Sequence, residues 1–371
     1  MSVYRSYLEI NTRALKYNLK TIKSMVSQPC QFMAVVKGNA WGAGTLECTK
    51  AFIDAGADWI GVTTIEDAMR LRREFDIPIL LMCEPPCETI STMVGLNIVM
   101  TVYSIASARL ISEAAMKHQT DIEIHIKINT GLNRVGVSAK DATLFFNEVM
   151  KLDRVKITGI FSHFSSADDP SSDTRTAKEL SLFKRIIEEI KAQTGWYGMV
   201  HMANTAATMS LPESHLDMVR VSIGLMGLYS NHDRSKKIPF KQVFNWKTEV
   251  THLIKVNKGE RVGYGGYYVA QADTTLVTIP VGWADGLPKA YINGGQVLIR
   301  GLRYPIVAIS MDMTCIDLAQ RMTGISMGES VVIFGVQKNE MLEPMVQGRV
   351  VGIDADATLS AINTRVPRIY C

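Results

Sequence analysis

The sequence predicts an α/β fold in which a (β/α)8 barrel of the TIM type precedes a smaller, mostly β second domain. Its 371 residues exceed the usual length of one domain. Eight short β-rich runs recur between residues 31 and 225, each followed by a segment with helical spacing of apolar residues. Beyond residue 234, strand-like runs alternate with Gly-containing turns, and helical spacing returns only at 350–363.

The eight predicted barrel strands cover residues 31–37, 57–64, 78–84, 97–103, 121–128, 155–164, 198–204 and 217–225. A typical intervening segment is the amphipathic run at 176–193, which Thr194-Gly195 ends. An earlier predicted strand at 4–11 is not needed for the eight-stranded barrel, so we expect it to join the second domain. The predicted domains are therefore a barrel at 12–233 and a β-rich domain at 234–371.

Composition excludes several classes of function. The chain is 47% apolar and 20% charged, as in soluble globular proteins, and its net charge is only +4. The basic cluster RSKK at 234–237 fits a solvated loop, so no nucleic-acid partner is expected. No apolar run is long enough to span a bilayer and no secretory segment opens the chain, which predicts a cytoplasmic location. The six cysteines lack paired metal-binding spacing, and we expect neither disulfide nor metal.

Polar side chains stand at the carboxyl ends of five predicted barrel strands, where catalytic groups lie in this fold. These residues are Lys37, Lys127, His163, Asn204 and Arg220. Each alone could be a rim charge or a hydrogen-bonded core residue, but five at one mouth favour an active site. Lys37 closes an apolar run, so we expect desolvation to lower its pKa toward that of a nucleophile. An amine in this position is suited to forming a Schiff base.

The last two barrel loops are the usual phosphate site of this fold. Here they carry ANTAA at 203–207 and RVSIG at 220–224, which offer a hydroxyl and small residues with available backbone N–H groups. A phosphate-bearing aldehyde held there and reaching Lys37 describes pyridoxal 5′-phosphate. The alternative Schiff-base enzyme, an aldolase acting on sugar phosphates, has no use for a second domain.

With these motifs the chain resembles the alanine racemase family of pyridoxal-phosphate enzymes. The resemblance runs in order through VVKGNAWGAG, IKINTGLNRVG, FSHFSSAD, MANTAA, VRVSIGLMGLY, RVGYGGYY, IPVGWADG, ISMDMTCIDL and RVPRIY. It covers essentially the whole chain. So many collinear motifs make the resemblance highly specific.

The resemblance implies a head-to-tail homodimer in which both subunits build each active site. Lys37 would be the Schiff-base lysine and one catalytic base, and Tyr264 of the partner subunit the other. Arg220 would lie against the pyridine nitrogen, and His163 would link it toward that tyrosine. Arg134 would bond the tyrosine oxygen and the substrate carboxylate.

Further site residues follow from the same resemblance. Thr205, Ser222 and Ile223 would hold the phosphate, with Asn204 and Trp41 in the cofactor pocket, and Met311 and Asp312 would lie at the substrate. Lys127 matches a lysine that many family members carry as a carbamate, which positions the arginine. The alternative is a plain lysine paired with a nearby acid.

The chemistry explains these residue types. Racemisation removes a proton from one face of Cα and delivers another to the opposite face, so two acid/base groups must flank the substrate. Lysine and tyrosine have ordinary pKa values near 10, and Arg134 beside the tyrosine would favour the phenolate. An arginine does not give up its proton to the pyridine nitrogen, which should limit the lifetime of a carbanion and suppress side reactions.

Several positions depart from the family pattern. Trp41 and Trp283 replace usual tyrosines, Asn129 replaces a common aspartate, and Asp356 falls where an active-site tyrosine is expected. These departures resemble the vancomycin-resistance serine racemases, whose catalytic part is the cytoplasmic end of a membrane protein. The chain is accordingly predicted to be cut from such a parent and to racemise L-serine and L-alanine for peptidoglycan precursors. Asp356 would accept a hydrogen bond from the serine hydroxyl, or else it fills a surface turn.

Three other functions remain open. The first is a housekeeping alanine racemase. The second is a pyridoxal-phosphate decarboxylase of basic amino acids, which needs other motifs and a longer second domain. The third is a non-catalytic pyridoxal-phosphate carrier, which needs neither the second domain nor VGYGGYY. The products formed from L-amino acids distinguish a racemase, a decarboxylase and a carrier: D-enantiomer, amine with carbon dioxide, or nothing.

Overall fold

The computed structural model describes residues 4–229, 238–319, 324–353 and 355–371, without the side chains of Ala355 and Asp356. The chain divides into two units. The barrel unit comprises Ala14–Ala40 and Thr45–Lys241, and the β-rich unit comprises Met1–Arg13, Trp41–Gly44 and Gln242–Cys371. The boundary that we predict between residues 233 and 234 lies outside the described residues.

Parallel strands form a nearly closed barrel, which confirms the predicted fold class. After β1 (Ser6–Ile10), the barrel strands are β2 (Gln31–Val35), β3 (Trp59–Val62), β4 (Ile79–Leu81), β5 (Val99–Val102), β6 (Ile122–Asn129), β8 (Val155–Phe161), β9 (Met199–His201) and β10 (Met218–Val221), with a short β7 (Val137–Ser138) beside β6. They pair in the order β10-β2-β3-β4-β5-β6-β8-β9. Across the remaining gap, Asp217 N donates to Val200 O and Arg220 N to Ala203 O, each at 3.0 Å.

One helix precedes the barrel strands and the others follow them, as the apolar spacing predicts. They are α1 (Thr12–Lys23), α2 (Lys37–Trp41), α3 (Thr45–Ala55), α4 (Ile65–Glu74), α5 (Ile90–Gly95), α6 (Ile105–His118), α7 (Ala142–Val149), α8 (Asp173–Thr194) and α9 (Thr205–Ser210). Ser104 caps α6 by accepting from Ser107 N, because a helix begins with N–H groups that have no partner within it. Gly195, at φ 67°, ends α8 in the left-handed conformation that favours glycine.

The turn α2 departs from an ordinary helix. Gly38, Asn39, Ala40 and Trp41 have φ values of 64°, 54°, 50° and 59°, so the chain turns left-handed for four residues. Side chains other than glycine adopt this conformation at a cost, and such strain is typical of functional sites. The Asn39 side chain supports the turn by accepting from Thr45 N at 3.0 Å. The turn begins at Lys37, directly after β2 and the buried Val36.

The β-rich unit is built on one large sheet. Its strands are β1, β11 (Phe244–Glu249), β12 (His252–Val256), β15 (Thr274–Ile279), β16 (Gln296–Ile299), β17 (Leu302–Ile309), β18 (Thr314–Asp317), β19 (Ser330–Gln337), β20 (Glu340–Leu342) and β21 (Arg368–Tyr370), and the helices α10 (Pro344–Val351) and α11 (Ala355–Ser360) follow β20. A separate hairpin joins β13 (Arg261–Val262) and β14 (Tyr268–Val269). The early strand β1 runs antiparallel to β11 and parallel to β21. The buried Trp246 anchors this pairing, since its Nε1 donates to Ser6 Oγ at 2.8 Å.

Two chemical features of the chain bear on its class. All six cysteines are free. Within the ranges described, no helix combines the length and apolarity needed to cross a lipid bilayer.

Gly159 in β8 gives a test of the barrel interior. A Cβ at this position would lie 2.6 to 2.7 Å from three atoms of the His125 ring. We expect Gly159→Ala to lower the free energy of unfolding by about 1–3 kcal/mol, because overpacking must displace a buried ring. The measurement is denaturant unfolding. Gly95→Ala is the control, since its Cβ would come no closer than 3.2 Å to His118. Equal midpoints for the two variants would contradict the packing described here.

Candidate active site

The centre of the barrel mouth is the buried guanidinium of Arg220, at the end of β10. Nη1 donates to His201 Nδ1 at 2.8 Å. Nη2 donates to Ser162 O at 2.6 Å, with Met202 O and His163 Nδ1 each at 3.2 Å. All of these acceptors are neutral. Burial, and then the nearby Arg134, lower the pKa of Arg220 to about 9.

One donor of Arg220 is left over. Its Nε is buried and has no hydrogen-bond partner among the described residues. A guanidinium can only donate, and an unpaired buried N–H costs about 1–3 kcal/mol. No carboxylate in the described ranges lies within ion-pair distance of Arg220. The group is therefore suited to an unprotonated acceptor atom of a ligand.

Lys127 adds a second buried cation at the end of β6, with only 5% of its surface exposed. Burial, followed by the charges of Arg134 and Arg220, lowers the pKa of Lys127 to about 8. The Phe161 ring partly compensates, because the Lys127 Nζ and the Arg220 Cζ lie 5.4 and 5.2 Å from its centroid. The acid partner that we considered for Lys127 is not found in the part of the chain that is described.

His163 is held as a neutral imidazole. Burial is the main cause that places its pKa well below the ordinary value, and the charges of Arg220 and Arg134 act in the same direction. Its Nδ1 faces an arginine that can only donate, so Nδ1 accepts. The ring proton is therefore on Nε2, which leaves this nitrogen as a donor.

Lys37 differs from expectation. The preceding residues Met33–Val36 are buried, but Lys37 itself is exposed at the start of the left-handed turn. The expectation that Lys37 is desolvated is therefore wrong for the single chain. The charge of Lys37 acts on both Lys127 and His163, so its amine belongs to the same cationic cluster.

The proposed phosphate residues meet at the ends of β9, β10 and β2. Asn204 uses its side chain to cap α9, accepting from Ala207 N at 3.0 Å. The Thr205 hydroxyl accepts from Ser222 N at 2.9 Å, which leaves its proton to donate. The Ser222 hydroxyl donates to Val35 O at 3.2 Å. Ile223 opens a 3-10 turn whose first N–H groups have no partner within the turn.

The loop that carries Arg134 is organised by Asn129. Its Oδ1 accepts from Gly131 N at 3.2 Å and from Asn133 N at 3.0 Å. Its Nδ2 donates to Asn133 Oδ1 at 2.9 Å. An aspartate could not make the last bond, so this departure from the family pattern has a structural use.

Glu179 on α8 ties two site loops together, and the sequence reading missed it. Its buried carboxylate accepts from Ser165 N and Oγ at 3.0 and 2.6 Å, beyond the strand that ends near His163. Arg175 donates to Glu179 at 3.2 Å and to Gly131 O at 3.0 Å, in the loop that carries Arg134. The apolar spacing of this helix contained no signal for that role.

Several predicted site residues lie on an exposed surface of the β-rich unit. Tyr264 is 88% exposed, and it lines an open cavity together with Trp283, Met311 and Asp312. The 310–313 loop is fixed at its base, because Trp283 N donates to Ser310 O at 3.1 Å and Ala284 N to Met311 O at 3.0 Å. The motif GWADG thus positions the predicted substrate-binding backbone.

An ion-pair network beneath this loop is centred on Asp285, which is 2% exposed. Arg5 and Arg365 each approach it at 3.1 Å, and Gly282 N donates to it at 2.8 Å. Arg365 also reaches Asp312 at 3.3 Å. The motif RVPRIY therefore contributes an arginine that connects the buried carboxylate to the loop.

Comparison with known proteins identifies this arrangement. The family model described as "Alanine racemase, N-terminal domain" matches residues 10–230, and "Alanine racemase, C-terminal domain" matches residues 243–370. The chain belongs to the alanine racemase family. The resemblance inferred from the motifs is thus confirmed.

Individual members of the alanine racemase family match over nearly their whole length. An alanine racemase of Desulfosudis oleivorans is 31% identical over 383 aligned residues, covering 100% of this chain and 98% of that protein. The solved alanine racemase of Clostridium difficile 630 has a TM-score of 0.94 at 27% identity, covering 100% of this chain and 97% of that one. The Bartonella henselae alanine racemase, solved with covalently bound pyridoxal phosphate, has a TM-score of 0.90 at 24% identity, covering 99% and 100%.

Predicted site residues of this family member fall into two groups. The barrel unit brings together Lys37, Lys127, Arg134, His163, Asn204, Thr205, Arg220, Ser222 and Ile223. The β-rich unit contains Trp41, Tyr264, Met311, Asp312 and Asp356. Trp41 is half-buried there. Asp356 lies in α11, and its side chain is outside the described residues.

Two histidines of the barrel interior were missed by the sequence reading of this racemase. His201 ends β9 against Arg220, and His125 lies behind it in β6. His125 alternates with isoleucines in DIEIHIKI, His201 interrupts the apolar run of GMVHMAN, and both are fully buried. A polar residue on the inward face of a strand was the available signal.

The Asp285 network gives a test of loop anchoring. We expect Asp285→Asn to lower the free energy of unfolding by about 1–3 kcal/mol, because charged hydrogen bonds to a buried acceptor are lost together. Arg5→Gln and Arg365→Gln are controls. Each arginine is about half exposed and leaves the other in place, so each should cost at most about 1 kcal/mol. Urea unfolding measures all three, and an Asp285→Asn loss no larger than that of the controls contradicts the network's role.

Proposed function

We propose that this protein is a pyridoxal-phosphate-dependent alanine racemase that interconverts L- and D-alanine and supplies D-alanine for peptidoglycan precursors. The observation that carries the proposal is the buried Arg220, held by neutral acceptors with its Nε–H unpaired. Family membership and the exposed Tyr264 support it. We further propose that the enzyme acts in the cytoplasm as a homodimer whose sites contain residues of both subunits.

The residues present fit pyridoxal phosphate. Lys37 supplies the amine, as expected for a cofactor that the Bartonella henselae neighbour binds covalently. The unpaired Nε–H of Arg220 suits the pyridine nitrogen. The Thr205 hydroxyl and the first N–H groups of the turn at Ile223 suit the phosphate, and Ser222 can join them by turning away from Val35.

The bound cofactor supplies an electron-withdrawing ring that stabilises negative charge at the substrate Cα. Arg220 keeps its own proton near neutral pH, since its pKa of about 9 lies above 7. It therefore hydrogen-bonds without protonating the ring. His163, neutral with its proton on Nε2, can donate toward Tyr264 of the partner subunit.

Two bases exchange protons with Cα in this proposal. Lys37 acts on one face, and Tyr264 of the partner subunit acts on the other. The 88% exposure of Tyr264 in its own chain makes its hydroxyl available to a second subunit. Arg134 holds the substrate carboxylate, with the partner's Met311 and the partner's Asp312 beside it.

The direct test is incubation of the purified protein, loaded with pyridoxal phosphate, with L-alanine. We expect D-alanine by chiral chromatography, and borohydride to fix the cofactor to the peptide that contains Lys37. Release of amine and carbon dioxide would identify a decarboxylase instead, and no turnover a carrier. Labelling of a different lysine would overturn the assignment of Lys37.

Subunit mixing tests the shared site. We expect Lys37→Ala and Tyr264→Phe each to be inactive alone and to regain up to about a quarter of wild-type activity when mixed and exchanged, because a hybrid dimer contains one intact site. Size-exclusion and mass analysis of differently tagged subunits establish the exchange. Absence of recovery after proven exchange would show that Tyr264 serves its own subunit.

Lys127 is proposed to be carbamylated. Only an uncharged amine reacts with carbon dioxide, and a pKa of about 8 leaves about a tenth of the Lys127 amine uncharged at pH 7, far more than in an ordinary lysine. The reaction releases one proton and gives an anion. That anion would lie beside Arg134 and Arg220, where the described chain supplies no carboxylate.

The carbamate is testable by pH and by isotope. With 13C-bicarbonate we expect a carbamate carbon signal that grows as the pH rises from 6 to 9, since the uncharged amine becomes more abundant. Lys127→Ala should lack the signal and lose about tenfold or more in kcat, with partial recovery in added short carboxylates. Lys151→Ala is the control, because this lysine is exposed and paired with Glu148. A wild-type protein without the signal at pH 9 would contradict the proposal.

Serine as a second substrate stays a prediction that rests on Asp356. The relatives named above are alanine racemases, so they lend no support to serine preference or to a role in vancomycin resistance. We predict that Asp356→Tyr shifts kcat/KM from serine toward alanine by about tenfold, because a buried serine hydroxyl would lose its acceptor. Competition with both L-amino acids gives the ratio. If Asp356→Tyr and Asp356→Ala both leave it unchanged, Asp356 does not contact the substrate side chain.

A further inference from the structure

A chain of hydrogen bonds leads from Arg220 into the interior of the barrel. Arg220 Nη1 donates to His201 Nδ1 at 2.8 Å, and His201 Nε2 lies 3.0 Å from His125 Nδ1. Both imidazoles are fully buried. Nothing in the proposed mechanism so far uses His125.

The donor and the acceptor of each hydrogen bond between Arg220, His201 and His125 are determined. A guanidinium only donates, so His201 Nδ1 accepts and the His201 proton is on Nε2. His201 then donates to His125 Nδ1, and the His125 proton is on its own Nε2. Burial lowers the pKa of His125 to about 3 and that of His201 well below its ordinary value, so both rings are neutral.

The rings themselves are fixed by packing. His201 stacks on Phe161, with centroids 4.9 Å apart and planes 5° from parallel. His125 lies over Gly159, where any Cβ would collide with it, and 5.4 Å from the Trp59 ring. Because packing fixes the position of each ring, the two imidazoles can differ only in their tautomer, that is, in which nitrogen carries the proton.

The last nitrogen in this series of hydrogen bonds, His125 Nε2, has no partner for its proton in the described part of the protein. His125 Nε2 is buried and has no hydrogen-bond partner in the described residues. A leucine of similar size would fill most of this space without burying an unpaired N–H. Buried groups of this kind are rare and call for an explanation. What the imidazole provides, and leucine cannot, is the acceptor Nδ1.

We propose that His125 is a positioning residue. By accepting the Nε2–H of His201 it stabilises the one tautomer of His201 whose Nδ1 can accept from Arg220, and so fixes the direction of the unpaired Arg220 Nε–H. The functional consequence rests on the proposed function, in which this Nε–H meets the pyridine nitrogen. The hydrogen-bond directions themselves do not depend on the proposed function.

The experiment compares His125→Asn with His125→Leu. These side chains have nearly the same size, but asparagine places an acceptor oxygen close to the position of Nδ1 and leucine does not. The tautomers are read by nitrogen-15 NMR of protein labelled only at its seven histidines, assigned by substitution. We expect His125 and His201 in the wild type both to carry the proton on Nε2. His201 should keep this form in His125→Asn and become a mixture of tautomers in His125→Leu.

Kinetics provide the second readout. We expect His125→Leu to lower kcat for alanine about tenfold with KM little changed, because Arg220 is misaligned while Arg134 is untouched. His125→Asn should stay within about twofold of wild type. Equal loss in both variants, or an unchanged His201 tautomer in His125→Leu, would show that the ring only fills space.

The wild-type spectrum decides even if His125→Leu does not fold. A proton on Nδ1 of His125 would make that ring the donor and overturn the proposal without any variant. If the tautomers are as expected but wild-type protein forms no D-alanine, the proposed function fails while the hydrogen-bond chain stands.

Discussion

The rest of the barrel mouth depends on one constraint: a guanidinium buried without a carboxylate. Arg220 has only neutral acceptors, so its charge is not cancelled by the chain. Its field contributes to the lowered pKa values of His163, His201 and Lys127. Together with burial, which is the larger cause, this field keeps the two imidazoles neutral, so that each accepts a hydrogen bond from Arg220, and it increases the uncharged fraction of the Lys127 amine.

The cationic cluster also explains what the site is built to receive. The charges of Arg134, Arg220 and Lys37 act on Lys127, and that of Arg134 acts on Arg220. No acid in the described ranges pairs with Arg220 or Lys127. Such a site is incomplete by itself. The proposed phosphate, substrate carboxylate and carbamate on Lys127 are anions that would complete it. The electrostatics therefore agree with the proposed cofactor and substrate.

In the β-rich unit the buried charge has the opposite sign, and the chain itself compensates it. There a carboxylate, Asp285, is buried and two arginines compensate it, which fixes the base of the 310–313 loop. This network is self-sufficient and structural, whereas the cluster around Arg220 leaves a donor unpaired for a ligand. The two arrangements show how the same residue types serve rigidity in one unit and binding in the other.

The sequence by itself determined the repeating pattern of the barrel, the polar ends of its strands and the family, because periodicity and motifs are local properties of the chain. It could not determine that Lys37 is exposed, that Glu179 joins two loops, or that His125 and His201 meet across 76 positions. These features depend on strand register and on which side chains a nearly closed barrel turns inward. Only the tertiary structure decides them, since the direction of a hydrogen bond requires both partners to be in place.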